Sequence, residues 1–144
     1  IRVHASLKPF RGDAFTETFE VEIPQTADPG NAYLFVGGGR VANRLDFSLV
    51  PPDPQSLEQV IGVLGRLKSA TDLAIGLYGE RGGAISGGVY HPSLPPSIQA
   101  VVTADPATAS STPVRVDAAV KQSRTLDYVI DGALRIDLQI LPAL

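Results

Sequence analysis

The sequence AYLFVGGGRVANRLDF, residues 32–47, decides how the middle of the chain folds. It opens with five apolar residues that lack polar alternation, which predicts a short strand covered on both faces. Three glycines and Arg40 follow, and the apolar positions after them recur at helical spacing until a Pro-Pro pair ends the segment. Strand, Gly-rich turn and helix is also the order of many phosphate-binding loops. The glycines are therefore needed either to bind a ligand or only to let the backbone turn.

Two phosphate-binding patterns can be compared with these glycines. The P-loop pattern fails because no lysine follows at the required position. The relaxed dinucleotide fingerprint fits the first and third glycines and Ala42, but its acidic residue about 20 positions on is missing, since Glu58 falls inside a predicted helix. An anion site at the helix start stays open, and its residues would be Gly37, Gly38, Gly39 and Arg40. The competing interpretation is a sharp strand exit that needs positive φ or close backbone approach.

The clearest helix of the sequence covers residues 56–68, SLEQVIGVLGRLK. Ser56 with Gln59 three residues later matches a capping box. The apolar residues lie at helical spacing, at Leu57, Val60, Ile61, Leu64 and Leu67. We therefore expect an amphipathic helix that packs on a sheet. A strand at 71–79 follows, so that strand, helix and strand predict a right-handed crossover between parallel strands.

The N-terminal region alternates between apolar and polar residues over 2–8 and 15–23. This period of two predicts a hairpin, with Glu17 as the one polar residue on its apolar face. Further along, a Pro-rich extended segment leads into a short helix expected near 96–103.

The C-terminal third alternates through VRVDAAV, TLDYV and ALRIDLQIL. The last two segments flank an Asp-Gly pair, which is a hairpin signal. A two-residue loop would put their apolar side chains on opposite faces, whereas a three-residue loop at 130–132 puts them on one face. The longer loop also sets Asp127 opposite Arg135, a favourable cross-strand charge pair. We therefore predict a C-terminal hairpin with the three-residue loop.

Ser86 and His91 are the candidates for a nucleophile and its base, within GGAISGGVYHP at 82–92. Ser-Gly-Gly resembles the nucleophile loop of chymotrypsin-like proteases, but Ile85 replaces the expected aspartate. A G-x-S-x-G elbow is absent because Ala84 replaces its first glycine. A triad also needs a carboxylate that orients the histidine, and no spacing in the sequence supplies one. Segment 82–92 is thus either a Gly-rich hairpin tip or loop without catalytic function, or the site of a catalytic Ser86 and His91.

The composition limits the functional classes. A net charge of −3 and scattered basic residues argue against nucleic-acid binding. The chain has no cysteine and two distant histidines, so it predicts neither disulfides nor a metal site, and it suggests no cofactor. No apolar run approaches the ~20 residues of a membrane-spanning helix. We expect a single domain over 1–144, an excerpt or processed part of a longer protein, because the chain begins at Ile1 and lacks methionine.

Five segments cover most of the chain in a recognisable order: SLKPFRGDAFTETFEVEIP, AYLFVGGG, SLEQVIGVLGRLKSATDLAIGLY, SLPPSIQAV and LDYVIDGALRIDLQI. This order resembles the C-terminal region of secreted bacterial proteins in the stage IV sporulation-type serine peptidase family. The resemblance implies a non-catalytic, extracytoplasmic, β-rich domain. It carries over no catalytic residue, because the chain has no copy of the Gly- and Ser-rich nucleophile segment of such peptidases.

The sequence as a whole predicts an α+β, mainly β domain, with a sandwich-like core of about seven strands, helix 56–68 and short helical segments. The leading hypothesis is a non-catalytic structural or protein-interaction domain of a secreted or envelope-associated bacterial protein. Its partner would be another domain of the parent protein or another chain, bound by strand addition or self-association. The alternative is a hydrolase or small-ligand domain that uses loops 37–44 and 79–92.

Overall fold

The structure, a computed structural model, describes residues 1–24, 29–92, 94–95, 97–98, 100–101 and 111–141. Its elements are β1 (Arg2–Leu7), β2 (Phe15–Glu20), β3 (Gly30–Gly38), α1 (Gly39–Leu49), α2 (Leu57–Leu64), β4 (Asp72–Ser86), β5 (Val89–His91), β6 (Ser111–Thr125) and β7 (Ala133–Ile140). The short helix predicted near 96–103 lies partly outside the described residues, and those described at 97–98 and 100–101 are helical.

All strand pairing in these residues is antiparallel. β1 and β2 form a two-stranded sheet, and the other five strands form a second sheet around the long strand β4. β6 pairs along one edge of β4, β3 and then β5 pair along the other edge, and β7 lies outside β3. The architecture is mainly β with helices added, so the predicted α+β, sandwich-like fold class is confirmed.

The core has two apolar layers, one on each face of the larger sheet. On one face, Leu34 and Leu77 pack with Phe19 of the β1–β2 hairpin. On the other face, Phe35 packs with Ala42 of α1. Burial of each large apolar side chain contributes about 1.5–3 kcal/mol. The short apolar run at 32–36 is therefore covered on both faces, as its lack of alternation predicts.

The predicted N-terminal hairpin is confirmed by the antiparallel register of β1 and β2. Its outer face is polar and includes an ion pair of Arg2 with Glu20 at 2.8 Å. Glu17, the polar exception on the inner face, forms an ion pair with Arg124 of β6. The facing sheet thus supplies a partner for the one charge that the alternation places inside.

The parallel crossover predicted between 32–36 and 71–79 is wrong. β3 and β4 are antiparallel neighbours, with Gly38 directly opposite Leu73. The connection contains two helices. α1 leads the chain away from the C-terminal end of β3, and α2 with the residues after it leads back to the same end, where β4 begins. An antiparallel neighbour needs only this return, whereas a parallel neighbour needs the chain carried back along the whole strand.

The helix predicted over 56–68 is α2, but it is shorter and does not pack on the sheet. Ser56 is its N-cap and accepts from the Gln59 amide at 3.2 Å, while the Gln59 side chain accepts from the Gln55 amide at 2.6 Å. None of its residues is buried, and its apolar stripe faces outwards, at Leu57, Ile61 and Leu64. α1 covers the sheet instead. No helix in the described ranges is long and apolar enough to cross a membrane.

The predicted C-terminal hairpin is wrong, although Gly132 has the positive φ expected in its loop, +87°. β7 pairs with β3, and residues 126–132 form no strand. They run past the start of β4 instead, where the Ile130 amide donates to the Ala70 carbonyl at 2.9 Å. β7 therefore lacks the neighbour that the sequence predicts for its other edge.

The segments expected as loops, 37–44 and 79–92, are mostly regular structure. The first ends β3 and begins α1, and the second belongs largely to β4 and β5. A two-residue turn joins these two strands at Gly87 and Gly88, whose φ values of 55° and 75° are those of a type I′ turn. The interpretation of 82–92 as a Gly-rich hairpin tip is thus confirmed, and a longer loop does not form there.

Candidate functional site

The three glycines at 37–39 have no open space beside them, because Gly37 lies against the side chains of Phe35 and Ala133, and Gly38 and Gly39 lie against backbone. A Cβ on Gly38 would collide with the Ile130 carbonyl oxygen, and one on Gly39 would collide with the Ser69 carbonyl oxygen. The φ of Gly38 is −65°, so close approach, and not positive φ, explains the glycine. Because carbonyl oxygens carry partial negative charge, the space beside these glycines does not favour an anion.

Arg40 and the Ser86–His91 hairpin lie towards opposite ends of the larger sheet. Arg40 is exposed in the first turn of α1, which begins beside the start of β4 because Gly38 faces Leu73. Ser86 is the last of the 15 residues of β4, and an extended strand of that length spans roughly 45 Å. The structure therefore does not bring the two groups of candidate residues into one pocket.

Ser86 and His91 are diagonal neighbours on one face of the β4–β5 hairpin. Ser86 pairs with Val89, and His91 pairs with Ala84. The His91 side chain makes no hydrogen bond or ion pair with any described residue, so no described carboxylate orients it. The pair lacks the third group on which a Ser-His-Asp mechanism depends.

A cleft of about 800 Å³ lies between α1, the Pro-rich segment 50–55, α2, the β4–β5 hairpin and β6. The hairpin tip closes one side of it, because a Cβ on Gly88 would meet the Asp53 carbonyl oxygen at 2.5 Å and the Gln59 side chain at 2.6 Å. Neither residues 37–40 nor Ser86 and His91 line this cleft. Its chemistry rests on other side chains.

Asp46 on α1 is the electrostatic centre of the cleft. Its carboxylate contacts the Lys68 ammonium at 3.1 Å and the Lys121 ammonium at 2.9 Å, and it accepts from the Tyr78 hydroxyl at 2.9 Å. Burial alone would raise the pKa of Asp46, but the hydrogen bonds and charges of Lys121, Tyr78 and Lys68 outweigh burial, so the pKa is lowered. Burial and the Asp46 charge raise the pKa of Tyr78. The carboxylate stays ionised, and the phenol stays protonated, near neutral pH.

A second polar pair lies beside this cluster. The Tyr90 hydroxyl donates to Asp117 at 2.7 Å, and the other oxygen of that carboxylate accepts from the Ala118 amide at 2.7 Å. Every buried side-chain polar atom among the described residues has a hydrogen-bond partner. The Asp46 cluster thus holds α1 to the sheet, and the Tyr90–Asp117 pair holds β5 to β6. Sequence reasoning missed them because they come from elements far apart in the chain, with no local motif.

The outer edge of β7 is the second candidate site. The Gly38 amide donates to the Gly132 carbonyl at 3.1 Å, in register with the β3–β7 pairing. Because hydrogen-bonded pairs alternate along an antiparallel ladder, the residues of β7 that bond to β3 are the even-numbered ones. The amides and carbonyls of the alternate residues point away from β3, at Ala133, Arg135, Asp137 and Gln139. Beside them, Leu134 is 71% exposed and Ile136 is 48% exposed. No strand of the described residues covers this edge.

The outer edges of β6 and β1 are less suited to strand pairing. Neither has a second strand neighbour in the part of the chain that the structure describes. β6 carries three exposed cations, Arg115, Lys121 and Arg124, of which the last two form ion pairs with Asp46 and Glu17, and none of its valines is exposed, so it offers no large apolar side chain to an added strand. The exposed side chains of β1 are polar. On β7 the one cation, Arg135, is matched by Asp137 at 2.8 Å, so that edge has no charge barrier of one sign.

Comparisons with known proteins add no relative, since no family model, curated protein or solved structure matches the chain. Within the described residues, no three His, Cys, Asp or Glu side chains are grouped so that they could hold a metal ion. The edge of β7 and the cleft therefore carry the functional interpretation.

Proposed function

We propose that this chain is a non-catalytic structural or protein-interaction domain, which binds an extended protein segment by adding it as a strand to β7. The open edge supports this proposal, because outward amides and carbonyls lie beside the exposed side chains of Leu134 and Ile136. Each hydrogen bond to an added strand contributes a net of about 0.5–1.5 kcal/mol. Burial of the two apolar side chains would add to this gain.

The proposed setting is a secreted or envelope-associated bacterial protein. The resemblance to the C-terminal region of stage IV sporulation-type serine peptidases supports this setting. There, the added strand would come from another domain of the same parent protein or from a separate chain.

An NMR titration with a strand-forming peptide tests the proposal. The peptide GALRIDLQIL, residues 132–141, alternates apolar and polar side chains as β7 does. We expect it to shift the amide signals of Arg135 and Asp137, which point outwards, more than those of Leu134 and Ile136. The control is the same peptide N-methylated at its arginine and aspartate amides, which keeps the side chains but removes those donors. A titration that leaves every β7 amide unchanged would contradict the proposed function.

Small-ligand binding in the cleft is the second candidate, favoured by its volume of about 800 Å³. Ligand pockets are typically about 300–1,000 Å³. Val63 of α2 lines the cleft, so Val63→Trp should fill it and abolish binding of fragments found by an NMR screen. Ile61→Trp, on the exposed side of the same helix, is the matched control. A screen in which no fragment distinguishes the two variants would rule against this candidate.

A further inference from the structure

We propose that the partner of β7 is β7 of a second copy of this chain, in an antiparallel pair centred on Ile136. This inference rests on the proposed function, because it uses the same open edge. A twofold axis through the centre of the pair would join the larger sheets of the two copies into one continuous sheet. Side chains that face each other across the pair then lie on the same side of that sheet.

Hydrogen-bond geometry limits the registers of such a pair. The outward amides and carbonyls belong to odd-numbered residues, so an antiparallel copy forms bonds only where odd residues face odd residues. The register centred on Ile136 meets this condition, since Arg135 faces Asp137 of the partner subunit. Ile136 then faces its own equivalent as a non-hydrogen-bonded pair, the type in which side chains approach most closely.

Charge selects among the registers that remain. A pair centred on Arg135 would place two guanidinium groups directly opposite each other, and a pair centred on Asp137 would do the same with two carboxylates. Like charges in this position are destabilising. In the register centred on Ile136, each arginine faces an aspartate. The side chains of Arg135 and Asp137 are 62% and 75% exposed, so both can exchange their contact within the strand for one across it.

The apolar side chains match in the same register. Leu134, Ile136 and Leu138 share one face of β7, and Leu134 would face Leu138 of the partner subunit. Leu134 and Ile136 are the exposed members, at 71% and 48%, and gain most from being covered. One strand of eight residues gives a small interface, at the low end of those that are stable. We therefore expect a reversible dimer that forms at high protein concentration.

Sedimentation velocity over a concentration series of the 144-residue chain tests this pair. Arg135→Asp places like charges opposite each other at both positions and should weaken dimerisation about tenfold. The double variant Arg135→Asp/Asp137→Arg restores opposite charges in the register centred on Ile136, and should dimerise as the wild type does. Arg44→Asp, an exposed change on α1 with the same effect on net charge, is the control. Circular dichroism checks that each variant is folded.

The outcomes separate this inference from the proposed function. Weakening by the single variant and recovery in the double variant support the self-pairing. A chain that stays monomeric at millimolar concentration, a dimer that Arg135→Asp leaves unchanged, or a double variant that does not recover overturns it. If the chain is monomeric and β7 still responds to the peptide GALRIDLQIL, the proposed function stands without self-pairing. A chain that does neither loses both.

Discussion

Glycine is required at the end of β3 because two other segments approach its backbone. The Ile130 carbonyl lies against Gly38, and the Ser69 carbonyl lies against Gly39. Gly62 in α2 has no atom within 4 Å of the place its Cβ would take. The same residue type is therefore obligatory at one position and replaceable at another, according to what surrounds it.

The substitution Gly38→Ala should destabilise the fold by about 1–3 kcal/mol, because its Cβ forces the Ile130 carbonyl to move. Gly62→Ala is the matched control. It should stabilise by up to about 1 kcal/mol, since alanine is the better helix former and has room. Urea unfolding of both variants measures the difference, and an equal effect at the two positions would contradict the close approach at Gly38.

Asp46 links α1 to the sheet through its ion pair with Lys121 of β6 and the hydrogen bond from Tyr78 of β4, and it also pairs with Lys68 in the segment before β4. Replacing it with asparagine should cost about 1–3 kcal/mol at pH 7, because bonds to a charged acceptor are lost. The pKa of Asp46 is lowered in the folded state. Its contribution is therefore fully present above the unfolded value of about 3.9 and is lost as the pH falls through the lower folded value.

The pH dependence of this contribution can be measured by urea unfolding between pH 7 and pH 3. We expect the stability gap between wild type and Asp46→Asn to narrow as the pH falls below about 4. Asp127→Asn removes an exposed carboxylate that makes no hydrogen bond or ion pair with a described residue, and serves as the control. A gap that stays constant down to pH 3 would show that the charge of Asp46 does not stabilise the fold.

At the scale of elements, α2 shows that amphipathic spacing predicts a helix but does not predict the surface on which the helix packs. Spacing identifies the apolar stripe and the capping pattern identifies Ser56 as the helix start, and the structure contains both. Neither pattern states what covers the stripe. α1 already packs on one face of the larger sheet, and the hairpin β1–β2 packs on the other face. Neither face is left for α2. The expectation that α2 packs on the sheet fails for this reason.

Alanine substitutions test the exposure of α2 directly. Ile61 is 61% exposed, so Ile61→Ala should change the free energy of unfolding by no more than about 0.5 kcal/mol. Leu77 of β4 is 0% exposed, so Leu77→Ala should cost about 2–5 kcal/mol. Thermal or urea unfolding gives both values. A loss at Ile61 comparable to that at Leu77 would mean that α2 packs on the core after all.

At the scale of the whole molecule, local patterns predict the strands better than their partners. The alternation at 2–8 and 15–23 and the apolar run at 32–36 identify three strands, because each pattern lies within one segment. The pairing of β7 with β3 joins segments remote in sequence, and the nearby Asp-Gly signal favours a local hairpin that does not form. The cluster around Asp46 was beyond sequence reasoning for the same cause, since Tyr78 and Lys121 meet it only in the folded chain.

Residue-resolved amide hydrogen exchange tests the open edge of β7 most directly. In dilute solution we predict slow exchange at Leu134 and Ile136, whose amides point towards β3, and fast exchange at Arg135 and Asp137. The two fast amides should slow when the protein is concentrated or when the peptide GALRIDLQIL is added. Slow exchange at all four amides in dilute solution would contradict the open edge, because the outer side of β7 would already be covered.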